Sequence, residues 1–163
     1  MAAIGPVKRV TLWVRDAERS LRVYRDALGL DVIEDKRLSG AAIAHMVGLT
    51  AASLRIVHLA PAGAEHGWIG LYEISETAPV PMAELARNPG FPRYGQATVA
   101  LMTTDLAAIV VRLRATPGVR FVTEPTEYVK TTAGDATPPG RYSEVIFFDP
   151  DDIPVALMGF APL

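Results

Sequence analysis

The chain has 163 residues, 50% of them apolar and 21% charged, which suits one globular domain or two small modules sharing a core. A formal charge of −2 with no local Lys/Arg cluster leaves no electrostatic footprint for nucleic acid, and the absence of cysteine excludes disulfides, thiolate metal sites and cysteine nucleophiles. No stretch approaches the ~18 apolar residues of a membrane span and no charged start precedes an apolar run, so a cytoplasmic protein without membrane partners is expected.

Residues 8–14 alternate as a strand does, with Val10, Leu12 and Val14 on one side and Arg9, Thr11 and Trp13 on the other. Asp16 stands where a helix N-cap belongs. Leu21, Tyr24 and Leu28 then make one apolar helix face, and Gly29 is a natural stop. Residues 30–34 read as the next strand, 39–52 as a softer stretch without assignment, and 53–59 and 68–75 as an antiparallel pair. The Pro- and Gly-dense segment 76–95 reads as a linker, with one helical turn over 82–86.

The pattern then restarts. Residues 98–102 predict a strand, Asp105 a cap, 106–115 a helix, Gly118 a stop and 119–123 a strand. A Gly/Pro loop over 131–141 could cover a site or simply connect strands. Residues 144–148 and 153–160 predict the last two strands. The Asp149-Pro-Asp-Asp152 run between them is explained as a tight turn whose carboxylates satisfy local amides.

At an offset of 89 residues, Val10 matches Val99, Leu12 matches Leu101, Asp16 matches Asp105, Arg25 matches Arg114 and Gly29 matches Gly118. The expected fold class is therefore α+β: two tandem βαβββ modules, one over 7–76 and one over 96–162, joined by a linker over 77–95. One helix covers only one face of each sheet. The other faces are expected to curl as mixed sheets around a concave cup, lined by Arg9, Thr11 and Trp13 from the first module and Thr98, Ala100 and Met102 from the second.

Val10-Thr-Leu-Trp-Val-Arg-Asp16 and Ser20-Leu-Arg-Val-Tyr-Arg-Asp-Ala-Leu-Gly-Leu30 resemble the opening of the vicinal oxygen chelate superfamily. That group includes glyoxalase I, extradiol dioxygenases, methylmalonyl-CoA epimerase and bleomycin-resistance proteins. Phe147-Phe-Asp-Pro-Asp-Asp-Ile-Pro-Val-Ala-Leu157 resembles the family's closing hairpin, with Asp152 where Gly is usual. The resemblance spans the single domain and implies the cup, a small-molecule ligand and a homodimer. It leaves the reaction open.

The resemblance also implies four metal-ligand positions, and here they hold Arg9, Gly70, Thr98 and Ala156. Arg is permanently cationic, Gly and Ala have no donor atom, and a lone Thr hydroxyl is a weak ligand, so no metal and no cofactor is expected. The residues that could supply a displaced metal site are His45, His58, His66 and Glu73. His45 and His66 fall in segments read as loop, and Glu73 has the parity of the opposite sheet face.

Arg9 could hold a carboxylate, phosphate or enolate through paired charge-assisted hydrogen bonds. Alternatively it extends into solvent or pairs with an acid such as Glu144. Trp13, Tyr72, Met102 and Met158 share the inward parity, with Phe160 at the rim, and suit a flat or greasy molecule; equally, they could fill a core. The ligand-binding candidates are thus Arg9, Trp13, Tyr72, Thr98, Met102 and Met158. Three readings stand: a metal-free binder of a small aromatic or anionic molecule; an enzyme with a displaced metal or a general base such as His58, Glu73 or Glu144; and an interaction module with a filled cup.

Overall fold

Asp16 and Asp105 cap equivalent helices in the same way, each side chain accepting a hydrogen bond at 3.1 Å, from the amides of Arg19 and Ala108. These caps satisfy one of the four free amides at each helix start. The computed structural model of the chain describes residues 4–49, 53–75, 92, 95–134 and 137–163. It divides into two compact units, Met1–Leu85 and Ala86–Leu163. The linker expected over 77–95 lies largely, and the helical turn over 82–86 wholly, outside the described residues.

In the first unit, β1 (Arg9–Val14) leads into α1 (Ala17–Leu21), followed by β2 (Asp31–Ser39), α2 (Ala41–Met46), β3 (Ser53–Ala60) and β4 (Trp68–Ser75). The sheet order is β1-β4-β3-β2, with β1 parallel to β4 and the other pairs antiparallel. After α1 the chain widens into a π-type turn over Arg22–Ala27, and this wider turn buries Val23 beside Tyr24 and Ala27. Gly29 ends it at φ 79°, a left-handed conformation that a side chain resists.

The first sheet's two faces are distinct. Glu73 accepts from the Ala17 amide at 2.8 Å, and Arg55 bonds Glu18, so Arg55 and Glu73 mark the face under α1. The buried Leu12, Val14, Val57, Leu59, Ile69 and Leu71 share that parity. Each such side chain contributes on the order of 1.5–3 kcal/mol by leaving water. On the other face, Leu54, Ile56 and Tyr72 form a cluster with Leu38, Ile43, Val47 and Ile74. Ile43 comes from α2, a helix within the stretch left unassigned from sequence, and β2 runs five residues past the expected end at Glu34. The two departures have one cause: the longer β2 carries Leu38 to this cluster and α2 covers it.

The second unit repeats the design with β5 (Val99–Thr103), α3 (Leu106–Ala115), β6 (Arg120–Phe121), β7 (Thr126–Lys130), β8 (Gly140–Phe148) and β9 (Pro154–Ala161). Its order is β5-β9-β8-β6, with β5 parallel to β9 and β7 also paired to β8. One strand was expected over 119–123. The structure keeps Arg120–Phe121 of it as β6 and adds β7, a separate strand on β8 over residues left unassigned from sequence, beyond Pro125. Gly159 makes room for its neighbour on β8: a Cβ there would lie 2.6 Å from Ser143 Oγ. The Asp149 turn is as expected, its Oδ1 accepting from the amides of Asp151 and Ile153. Among the described residues no helix is long and apolar enough to cross a membrane.

Candidate functional site

Gly70 is the centre of the first sheet's face opposite α1. It pairs with Thr11 on β1 and with His58 on β3. Its φ is not positive, so backbone conformation does not require glycine. Space does. A Cβ at this position would meet Tyr72 Cε1 at 3.0 Å, His58 Cδ2 at 3.4 Å and Arg9 Cδ at 3.5 Å. Three polar side chains, of Arg9, His58 and Tyr72, therefore converge over a residue that has none.

Arg9 pairs with Trp68 at the start of β1, and its guanidinium carbon stands 5.7 Å from the centre of the Tyr72 ring. It forms no ion pair with a carboxylate among the described residues. Glu144, the acid considered for it, accepts from the Tyr128 hydroxyl instead. Trp13, paired with Tyr72, meets that ring edge-on at 5.5 Å between centres and keeps 51% of its surface exposed. Trp68 completes the face, 5.9 Å from the His58 ring, with its indole N–H donating to Ala64 O at 2.7 Å.

His58 is buried at 7% exposure yet has both ring nitrogens engaged. Nδ1 lies 3.0 Å from Glu34 Oε2, and Nε2 lies 3.3 Å from the Tyr72 hydroxyl. Glu34 also takes Lys36 Nζ at 2.9 Å, and that hydrogen bond leads the causes that lower its pKa, so it is a carboxylate and an acceptor. His58 Nδ1 must then carry the proton, and the neutral ring accepts at Nε2 from Tyr72 O–H. Burial, and next the positive charge of Arg9, push the His58 pKa below its ordinary 6.5, against the opposing pull of Glu34. The ring is neutral at pH 7.

Glu34 was missing from the sequence-derived site. A bulge between Val32 and Glu34 skips Ile33 and sets Glu34 opposite His58; regular pairing onward from Val32 and Leu59 would have put Ile33 there. No motif signals that shift. Conversely, Glu73 has the parity expected from sequence and is engaged by α1, away from Arg9 and His58. His45, read as loop, is an exposed residue of α2, and His66 is exposed in the β3–β4 connection.

In the second unit Met102 pairs with Met158 on the face opposite α3, and Glu144 pairs with Met158 from the other side. Met102 is 63% exposed and Met158 half-buried. Tyr142 lies on the same face, stacked on Tyr128 at 5.4 Å and 5.1 Å from Phe160. Thr98 is exposed just before β5, one residue outside the strand expected to hold it. Ala100 and Ala156 are direct partners. The candidates therefore gather as Arg9, Trp13 and Tyr72 in one unit and Met102 and Met158 in the other.

A divalent metal does not fit these residues. Gly70 offers no donor, a guanidinium side chain stands against it, and the nearby imidazole is bonded on both nitrogens. Among the described residues no group of three His, Asp or Glu side chains could hold a metal ion.

Known proteins agree with this architecture. A glyoxalase family protein from Bacillus cereus superposes with a TM-score of 0.67 at 15% identity, covering 98% of each chain. A glyoxylase/bleomycin resistance protein/dioxygenase domain from Frankia sp. EAN1pec gives 0.59 at 22% identity, covering 98% of this chain and 94% of its own. TnmS3, an antibiotic binding protein from Streptomyces sp. CB03234, gives 0.52 at 20% identity, covering 99% of this chain and 100% of its own. No curated protein matches in sequence. The profile of one family matches residues 7–157, nearly the whole chain. That match makes the chain a member of the glyoxalase/bleomycin resistance protein/dioxygenase superfamily.

Proposed function

We propose that this chain binds a small aromatic carboxylate on the face of its first sheet opposite α1, without a metal. The observation that carries this reading is Arg9 standing against Gly70, two positions where the resemblance to the family implies metal ligands. A cation is still supplied, by a guanidinium side chain beside Tyr72 rather than by an ion. A guanidinium matches a carboxylate with two parallel N–H···O bonds. Trp13 and Tyr72 beside it offer an edge-to-face pair against which a flat ring can pack. The corresponding face of the second unit presents Met102 and Met158, adaptable thioether surface of the same apolar character, with Thr98 at the head of its first strand. A small-molecule role is in keeping with TnmS3 being an antibiotic binding protein.

The test is calorimetric titration of chelator-stripped protein with 2-naphthoate, which joins a carboxylate to two fused rings. Binding is expected, and Arg9→Ala should weaken it roughly tenfold or more, as loss of a charge-assisted pair does. Affinity unaffected by Arg9→Ala would refute the reading. Stoichiometric binding of zinc, nickel, manganese or ferrous iron by the stripped protein, lost on His58 substitution, would favour the metalloenzyme instead.

A further inference from the structure

We propose that Glu34, His58 and Tyr72 make the Arg9 face a proton-coupled oxyanion site, which takes up a carboxylate together with a proton on His58. The inference rests on the reading of Arg9 as a carboxylate anchor and specifies how the site accepts its ligand.

The groups facing His58 are few and each has a defined role. Glu34 and Lys36 reach it from β2, Arg9 from β1 and Tyr72 from β4. In the free protein the neutral ring accepts from the Tyr72 hydroxyl, whose proton is thereby turned inward. Two things change when a carboxylate settles on Arg9. Its negative charge offsets the guanidinium that disfavours a charged imidazole, so a solvent proton is taken up at Nε2. The protonated ring now donates at both nitrogens, to Glu34 through Nδ1 and to the Tyr72 oxygen through Nε2. Tyr72 must then turn its own proton outward, and the bound carboxylate is the acceptor that arrives. Proton uptake and ligand binding therefore favour one another, as linkage requires.

Gly70 is what allows this. A Cβ at this position would press on Tyr72, at 3.0 Å, and lie in contact with His58 and Arg9 at 3.4 and 3.5 Å, so glycine leaves Tyr72 its place beside both.

Two measurements test the proposal. The first needs no ligand: NMR titration of the His58 ring, assigned among the three histidines by His58→Gln, in the wild type and in Arg9→Ala. The His58 pKa should rise when Arg9 is removed; an unchanged titration would overturn the coupling. The second is calorimetry of 2-naphthoate binding at pH 6.5 in PIPES and in Bis-Tris, buffers of unlike ionisation enthalpy. A buffer-dependent heat corresponding to net proton uptake is expected, absent in His58→Gln. Affinity should rise up to about tenfold per unit fall in pH between the free and bound His58 pKa values. Tyr72→Phe, which keeps the ring, should bind on the order of fivefold more weakly at pH 6. Binding without proton uptake would overturn the proposal and leave the carboxylate reading intact; no binding at any pH would remove both.

Discussion

Glu73 Oε2 accepts the amide of Ala17 at 2.8 Å, tying the fourth strand to the first turn of the helix that follows β1. A carboxylate that could have been a metal ligand or a general base is thereby a helix-terminus anchor. Its negative charge sits where the helix presents free N–H groups. Glu73→Ala is expected to lower unfolding free energy by ~1–2 kcal/mol, with Glu73→Gln in between, and to leave 2-naphthoate affinity unchanged. Urea denaturation and calorimetry check both halves. Weaker ligand binding in folded Glu73→Gln would return this residue to the site.

Gly70→Ala asks whether convergence over Gly70 is real. A methyl there must displace Tyr72, whose Cε1 would be 3.0 Å away, within a face already packed by Leu54 and Ile56. Overpacking of this kind costs ~1–3 kcal/mol, more than alanine's better strand propensity returns. A rise in the urea midpoint would contradict the geometry.

Much of this arrangement was legible in the sequence, and the boundary is instructive. The helix caps, the glycine stops and the side-chain parity of Arg9, Trp13, Tyr72 and Glu73 follow from local rules, because a strand alternates with period 2 and a helix end needs an acceptor. Glu34 could not be found that way. Its encounter with His58 depends on a bulge, a non-local choice of register between β2 and β3. Helix α2 escaped for a similar reason: its short Ala-rich run is weakly amphipathic, and contact of Ile43 with the Leu54 cluster stabilises it. In the second unit the strand over 119–123 was legible, but the further strand β7, paired to β8 beyond Pro125, was not.

Acid stability should report the Arg55 network. Arg55 binds Asp35 and Glu18, each through Nη2 at 2.7 Å, and its hydrogen bond to Asp35 holds that carboxyl below its ordinary 3.8. A folded pKa below the unfolded value stabilises the protein fully above pH 3.8 and is lost as pH falls through the folded value. Asp35 is partly exposed, so about 0.5–1 kcal/mol is involved. Asp35→Asn should therefore narrow the difference in melting temperature between pH 7 and pH 3; an unaltered difference would show the pair to be inconsequential.

The opposite sign applies to Tyr128. Its hydrogen bond to Glu144 pushes the phenol up to about 12 from 10.0. Stability from this bond is complete below pH 10 and disappears as pH rises through about 12. Ultraviolet titration should show a late-ionising tyrosine that Glu144→Gln brings back toward 10. If Glu144→Gln leaves every tyrosine titrating as before, the contact is absent in solution.

The position of the ligand's carboxylate is the most direct measurement of all. A crystal structure of the protein with 2-naphthoate is predicted to put both carboxylate oxygens within about 3 Å of the Arg9 guanidinium nitrogens, with the rings against Trp13 and the Tyr72 hydroxyl turned toward the ligand. A carboxylate held elsewhere, with Arg9 extended into solvent, would contradict the account.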